Sequence, residues 1–430
     1  MKQSKLGLAE VVSIAVGTMI GASIFTIFGV GAAMAGKNLP EVFLLSGVYA
    51  LSVAYSYAKL GGKIISNAGP IAFILKGLGD NIITGTLSLM IWFTYVVSVS
   101  LFAKGFAGYF LPLIHVSVTD FASETASILL IVFFTVLNFF GSKAVGKAEF
   151  YMVLTKLIIL LLFIIGGLIT IKIKNLSPSL QPPQLSATLN ASVIFFLSYI
   201  GFGLIVNASE NLKSPEKNVP RAIYISIAIV ILVYLGVSVA ALGNLPVSGI
   251  INAKENALAE AAKPFLGRVG FLLISVGALF SISSALNATL YGGANISYSL
   301  ARDGELPQVF ERKLWFKSRE GLYITSALSI AIILLFDIEE IAALTSSIYT
   351  IIYIFVIFSH FRIADQYGGN KILIALNLLL LVGVLGALFY YQFQNQRPAF
   401  YATLLIIGGA LLIEIFFRKV RIRSFSHLFH

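Results

Sequence analysis

The stretch Gly17-Thr-Met-Ile-Gly-Ala-Ser-Ile-Phe25 lies inside an apolar run that extends over residues 8–35. About 20 mostly apolar residues are enough for a helix to cross the hydrocarbon core of a bilayer. Glycines interrupt this run, and a glycine inside a helix weakens it by about 1 kcal/mol relative to alanine. The stretch therefore predicts a membrane-spanning helix with a weak point inside it.

The composition of the whole chain agrees with a membrane protein. Of its 430 residues 58% are hydrophobic and 11% are charged, and the mean hydropathy is +0.92. Soluble domains usually carry about 25% charged residues, so a water-soluble globular protein is excluded. The chain has no cysteine, which excludes disulfides and thiolate metal sites. Its four histidines show no metal-ligand spacing, so we expect no metal site.

Reading the whole chain for apolar stretches predicts an all-α polytopic membrane protein with about twelve spans. These are expected at residues 8–35, 41–60, 82–111, 126–142, 150–171, 189–209, 222–243, 268–299, 322–336, 341–361, 372–391 and 399–417. Residues 1–430 are interpreted as one transmembrane domain embedded in the lipid bilayer.

The charged residues predict the orientation of the spans. With the N-terminus inside, twenty-one of the 30 Lys and Arg fall in inner segments and seven in outer loops. This bias is the positive-inside rule, which places both termini in the cytoplasm. It also explains the net charge of +11 without any binding to nucleic acid.

A second interrupted stretch, Phe195-Phe-Leu-Ser-Tyr-Ile-Gly-Phe-Gly203, lies in the sixth span. Two glycine-interrupted spans at corresponding places in two halves are typical of a transporter with inverted repeats. The repeats are predicted at residues 8–171 and 189–361, followed by two extra helices at 372–417. The alternative for Gly17 and Gly21 is a GxxxG face on which another helix packs.

The chemistry of an unwound backbone suggests the ligand. Unwinding at residues 20–23 would free N–H groups for a carboxylate, and unwinding at residues 197–200 would free carbonyl groups for an ammonium. Together they match the zwitterion that all amino acids share.

Several motifs resemble the amino acid–polyamine–organocation superfamily over essentially the whole chain. The similarity is greatest to prokaryotic, broad-specificity, proton-coupled amino acid transporters of the ApcT type. The motifs are Gly17–Phe25, Asn67-Ala-Gly-Pro70, Asn138-Phe-Phe-Gly-Ser-Lys143, Ser198-Tyr-Ile-Gly-Phe202, Asn207-Ala-Ser-Glu210 and Lys217-Asn-Val-Pro-Arg-Ala222. The resemblance implies a LeuT-type fold of five plus five helices with helices 1 and 6 unwound.

The resemblance also implies site residues. The substrate carboxylate would meet the backbone of Met19, Gly21, Ala22 and Ser23, and its amine would meet the carbonyls of Leu197, Ser198 and Ile200. Phe202 would act as a gate. Many relatives have an acidic residue at the position of Gly203 and a large aromatic at that of Leu197. Both departures favour neutral substrates.

Lys156 is the charged residue most deeply placed in a predicted span, and charges within membranes are functional by default. In the family fold it would face the first and eighth spans. We expect its ammonium to donate to the carbonyl of Gly17 and to oxygens of Ser281 or Ser284, as a protonatable substitute for sodium. Lys104, near the outer end of the third span, is the rival candidate.

The sequence thus predicts a secondary transporter that couples uptake of neutral amino acids to protons, with no other cofactor. An exchanger or a sodium-coupled symporter remains the alternative. A sensor that binds without transporting, or a membrane enzyme, belongs to a different class, and the enzyme lacks the clustered His, Asp or Glu that it would need.

Overall fold

The computed structural model describes residues 5–139, 145–302 and 320–420, and within these ranges the chain forms no strand and sixteen α-helices, one of which is kinked at Gly267. The helices are α1 (Leu8–Ala22), α2 (Phe28–Ala35), α3 (Leu39–Gly61), α4 (Pro70–Leu78), α5 (Ile82–Leu113), α6 (Asp120–Phe139), α7 (Val145–Ile169), α8 (Pro182–Phe195), α9 (Gly203–Asn207), α10 (Pro215–Asn244), α11 (Val247–Asn252), α12 (Ala257–Arg302), α13 (Glu320–Leu335), α14 (Ile338–Tyr367), α15 (Lys371–Asn395) and α16 (Arg397–Val420).

These helices confirm the predicted fold class. Over the described ranges, nine helical segments are long and apolar enough to cross a membrane, and three shorter apolar helices join them: Leu8–Gly21, Val153–Ile169 and Gly321–Leu335. The first span consists of α1 and α2, and the sixth of α8, a 3-10 turn and α9. The fold is the all-α, LeuT-type bundle with helices 1 and 6 interrupted.

The break in the first span lies further along the chain than predicted. Helix α1 continues through Ala22, and the irregular segment is 23–27 rather than 20–23. Within this segment the N–H groups of Thr26 and Ile27 both donate to the carbonyl of Ser23, at 3.1 and 2.9 Å. The prediction of a break is confirmed, and its position at residues 20–23 is wrong.

The glycines of α1 explain the difference, because they serve close packing. A β-carbon at Gly17 would overlap Val153 Cγ2 of α7. A β-carbon at Gly21 would lie 3.1 Å from Ser281 Oγ and 3.2 Å from Lys156 Nζ. The GxxxG interpretation therefore holds for Gly17 and Gly21, and the helix breaks one residue beyond Ala22.

The break in the sixth span is a 3-10 turn over Phe196–Phe202, which includes the predicted residues 197–200. It crosses α1 at Gly201, where a β-carbon would lie 2.9 Å from the Met19 nitrogen and 3.1 Å from the Ala15 oxygen. The two interrupted spans therefore meet backbone to backbone.

The segment 209–213, which follows α9, ties three elements together at one end of the bundle. The Leu6 N–H donates to the Asn211 carbonyl at 2.8 Å, and the Lys213 N–H donates back to the Leu6 carbonyl at 2.9 Å. The Glu210 carboxylate accepts from the backbone N–H and side-chain Nδ2 of Asn67, at 2.9 and 3.2 Å. The start of α1, the connection from α3 to α4 and the end of α9 are therefore joined.

We expect Gly17→Ala to lower the free energy of unfolding by about 1–3 kcal/mol, the usual range for overpacking. The new methyl group would press on Val153, so adding Val153→Ala in the same chain should recover most of the loss. Thermal unfolding in detergent micelles measures both effects.

Gly408→Ala is the control for this pair, because a β-carbon at Gly408 meets nothing within 4 Å. A loss in Gly17→Ala that persists unchanged in the double variant would contradict the packing account.

Candidate functional site

A cavity of about 380 Å³ lies where the two interrupted spans meet. Thr18 and Met19 of α1 line it together with Leu197, Ile200 and Gly201 of the 3-10 turn. Its mouth is at Asn67, in the connection from α3 to α4, and at Asn207, the last residue of α9. The cavity therefore opens toward the end of the bundle that carries segment 209–213.

The break in the first span is packed inside the bundle and does not line the cavity. Ile24, Phe25 and Thr26 are completely buried there, as are Ile27 and Phe28. The Phe25 ring packs edge to face against Tyr109 of α5, with centroids 6.3 Å apart. Solvent therefore does not reach this segment.

Aromatic rings and hydroxyl groups form most of the polar wall of this cavity. The rings come from helices α3, α5 and α14, and the smaller hydroxyl side chains from α1, α5, α12 and α14. They are Tyr57, Tyr95, Phe102, Tyr349 and Tyr353, with Thr18, Thr94, Ser98, Thr289 and Thr345. No Asp, Glu, Lys, Arg or His among the described residues lines it. The wall suits a ligand part without net charge.

The predicted ligand-binding residues are only partly brought to this cavity. Met19, Leu197 and Ile200 line it, whereas Gly21, Ser23 and Ser198 do not. The Ala22 side chain lies outside the described part of the chain. Because α1 is helical through Ala22, the N–H groups at residues 19–22 belong to an intact helix instead of a free half-helix terminus.

The hydroxyl of Tyr234 on α10 lies between the carbonyl of Met19 in α1 and that of Ser198 in the 3-10 turn. It is 2.7 Å from the Met19 oxygen, 3.1 Å from the Ser198 oxygen and 3.0 Å from Ser23 Oγ. Ser23 Oγ donates to the Met19 carbonyl at 2.9 Å and lies 3.4 Å from the Ser198 carbonyl. The Ser198 carbonyl, predicted for the substrate amine, thus already has hydroxyl partners from within the protein.

The third predicted carbonyl has a neighbouring hydroxyl as well. Tyr353 of α14 donates to the Ile200 carbonyl at 3.4 Å. Tyr353 also lines the cavity, so its hydroxyl can exchange this carbonyl for a ligand with a small movement of the side chain.

Lys156 of α7 lies beside α1 in the interior of the bundle. It is 5% exposed, and its Nζ donates to the Gly17 carbonyl at 2.8 Å. It lines a second cavity, of about 480 Å³, that also contains Gly17 and Ser284. The structure therefore brings together Lys156, Gly17 and Ser284, as expected from the sequence.

Ser281 is near this group without bonding to it. Ser281 is 2% exposed, and its Oγ makes no hydrogen bond in the structure. Ser281 Oγ and Lys156 Nζ both lie within about 3.2 Å of one point, the position of a β-carbon on Gly21. A small shift of either side chain would bring the hydroxyl and the ammonium into contact.

The other two predicted residues lie away from the ligand cavity. Phe202 is completely buried, stacks on Tyr353 with centroids 5.8 Å apart, and meets Tyr57 edge to face at 5.3 Å. It supports the cavity wall from behind and does not line the cavity. Lys104 Nζ donates to the Phe336 carbonyl just after α13, and Lys104 lines neither the ligand cavity nor the cavity of Lys156.

The tyrosines are what sequence reasoning missed. Tyr57, Tyr95, Tyr234, Tyr349 and Tyr353 come from four different helices. No spacing within one helix could have identified them as a group. The available signal was weaker, namely that a tyrosine inside a membrane span needs a hydrogen-bond partner for its hydroxyl.

An all-helical bundle whose two interrupted helices meet at a central cavity has the architecture of a secondary transporter. Comparison with known proteins agrees with this class. The family model for amino acid permeases matches residues 6–411. The chain belongs to the amino acid permease family.

Two sequence relatives and one solved structure match almost the whole chain. An uncharacterised protein of Methanocaldococcus jannaschii is 60% identical over 99% of this chain and 98% of its own. The inner membrane transport protein YbaT of Escherichia coli is 32% identical over 95% of this chain and 94% of its own. The crystal structure of a mutant manganese transporter of Eremococcus coleocola superposes with a TM-score of 0.64 at 13% identity, over 95% of this chain and 92% of its own, which shows a shared fold.

We expect Tyr234→Phe to weaken the junction between the two breaks, because the one buried hydroxyl hydrogen that lies within reach of both the Met19 and Ser198 carbonyls is lost. An unsatisfied buried polar group costs about 1–3 kcal/mol. The variant should therefore unfold at a lower temperature and transport more slowly than the wild type, as measured in micelles and in liposomes.

Tyr224→Phe on the same helix is the control, because Tyr224 is 39% exposed and distant from the breaks. Equal stability of Tyr234→Phe, Tyr224→Phe and the wild type would refute this role of Tyr234.

Proposed function

We propose that this protein is a proton-coupled symporter that carries neutral amino acids into the cell by alternating access. The observation that carries the proposal is the 2.8 Å hydrogen bond from Lys156 Nζ to the Gly17 carbonyl. It joins α7 to the α1 half of the interrupted first span through a group that can gain and lose a proton.

The choice of a neutral substrate rests on the cavity wall. The described residues that line the 380 Å³ cavity bear no formal charge, so a charged substrate side chain would lose its hydration without gaining a partner. The carbonyls at Leu197, Ser198 and Ile200 supply acceptors for the substrate ammonium once the tyrosine hydroxyls move.

The coupling has a simple physical basis. Protonated Lys156 has three donors for oxygens of α1 and α12, and neutral Lys156 loses its charge and one donor. Protonation therefore holds the first, fifth and eighth spans together, and release of the proton frees them. Gly17, Ser281 and Ser284 supply the oxygens in this scheme.

The energetics of a single proton are sufficient. One pH unit supplies about 1.4 kcal/mol, and a membrane potential of 100 mV supplies about 2.3 kcal/mol per charge. Their combination of about 3.7 kcal/mol sustains a several-hundred-fold gradient of a neutral substrate.

The orientation follows from the charge bias along the chain. Lys59, Lys63 and Lys76 flank the connection that carries Asn67 at the mouth of the cavity. By the positive-inside rule this end faces the cytoplasm. The protein then resides in the cell membrane with both termini inside, and the structure is open inward.

We expect Lys156→Ala to abolish accumulation of radiolabelled alanine driven by an inward proton gradient in sealed liposomes. The charge that responds to the gradient is absent from this variant. Lys156→Met is measured beside it, because methionine preserves much of the apolar stem. Lys104→Ala is the control and should retain accumulation, since Lys104 bonds only near the end of α13.

Uptake is measured under three conditions that separate the possible mechanisms. These are a proton gradient, a sodium gradient, and no ion gradient with alanine inside the liposomes. Uptake that needs internal alanine and ignores both gradients would mean exchange. Uptake that requires sodium would mean sodium coupling. Accumulation that Lys156→Ala leaves unchanged would refute the role of Lys156.

A further inference from the structure

Two cavities open from one mouth in this structure, and they reach different depths of the bundle. The substrate branch is the cavity between the two breaks, which ends at Ser98, Thr345 and Tyr349. The lysine branch is the cavity that contains Lys156, Ala285 and Ala288. Asn67, Asn207 and Thr289 line both branches, so both meet the same solvent.

We propose that the lysine branch is a separate water-filled path by which the Lys156 proton reaches the cytoplasm without passing the substrate. This inference rests on the proposed proton coupling and adds the route. In the transfer, one Nζ–H bond of the Lys156 ammonium breaks, its electron pair stays on nitrogen, and the proton passes to a water molecule in the branch.

The two branches adjoin along a boundary of shared residues. Besides the residues at the mouth, Thr18 of α1, Tyr95 of α5, Leu204 and Ile296 line both cavities. Tyr95 lies close against α12, because a β-carbon at Gly292 would be 2.7 Å from its Cε1 and one at Gly293 would be 3.0 Å from its Cβ. These two glycines let the tyrosine ring occupy this boundary.

The lining of the lysine branch indicates how a proton would move through it. Its lining offers amide groups at Asn67, Asn207 and Asn295, and hydroxyl groups at Thr18, Ser284 and Thr289. Over the described ranges, no Asp, Glu or His lines this branch, and Lys156 is its one charged group. Such groups hold water but cannot relay a proton as a carboxylate or imidazole does.

This chemistry has a specific consequence. Proton transfer along a water-filled path depends on open space. Filling the branch should therefore slow the transfer, whereas the loss of any single polar side chain should not. Its volume of about 480 Å³ leaves room for several water molecules.

The absence of cysteine from the chain allows a direct test of the two branches. Ala288→Cys places a thiol in the lysine branch, and Ser98→Cys places one in the substrate branch. Both are treated in inside-out liposomes with 2-aminoethyl methanethiosulfonate, with and without a saturating mixture of alanine, leucine and phenylalanine.

We expect both thiols to react. The amino acids should slow modification of the thiol in Ser98→Cys at least tenfold and change the modification rate in Ala288→Cys less than twofold. Equal protection of both thiols, or an unreactive Ala288→Cys, would overturn the separate path. Protection of neither would overturn the substrate branch itself, and with it this inference.

A second test fills the lysine branch. Ala288→Phe should reduce uptake driven by a proton gradient at least tenfold and leave exchange of internal for external alanine within twofold of wild type, since exchange needs no proton release. Ala288→Ser is the matched control and should retain both. Equal loss of uptake and exchange, or no loss, in Ala288→Phe would refute the path.

The two proposals fail differently in these assays. If wild-type uptake ignores the proton gradient, proton coupling itself is wrong and Lys156→Ala will show the same behaviour. If wild-type uptake follows the gradient, Lys156→Ala loses this uptake and Ala288→Phe retains it, proton coupling stands and the proposed route is wrong.

Discussion

A buried ammonium group against a helical carbonyl is the constraint on which this structure depends. Lys156 is 5% exposed and lies 2.8 Å from the Gly17 oxygen. A charge in a membrane interior is costly unless it is paired or hydrated, and no Asp or Glu in the described part of its cavity is available. Backbone oxygen of α1 therefore becomes a partner, and α1 and α7 must approach closely enough to provide it.

Close approach explains why glycine occurs where it does in α1. Gly17 leaves space for Val153, and Gly21 leaves space for Lys156 and Ser281. The same glycines that would weaken an isolated helix thus fix it between two neighbours, and the chain unwinds only after Ala22. Packing and unwinding are consecutive features of one span, so the two interpretations of its glycines are compatible.

The spans and the position of Lys156 inside one of them could be predicted because each depends on a strong local signal, whereas the Lys156–Gly17 contact was expected from the family resemblance. A bilayer demands long apolar runs, and a lone lysine in such a run stands out. The exact break, the hydroxyl partners of the Ser198 carbonyl and the buried position of Phe202 depend on side chains from other helices. Tyr234 reaches the Met19 and Ser198 oxygens across the bundle, a contact that no spacing along α10 reveals.

The use of tyrosine at these carbonyls has an electrostatic consequence. A hydroxyl satisfies a freed carbonyl without adding charge, whereas a lysine or a bound cation would bring a second positive charge beside Lys156. With a zwitterionic substrate and an otherwise uncharged described lining, the proposed cycle moves the charge of one proton with each amino acid. In this proposed cycle the membrane potential would act on the protonation of Lys156, whereas the tyrosine hydroxyls at the carbonyls carry no charge.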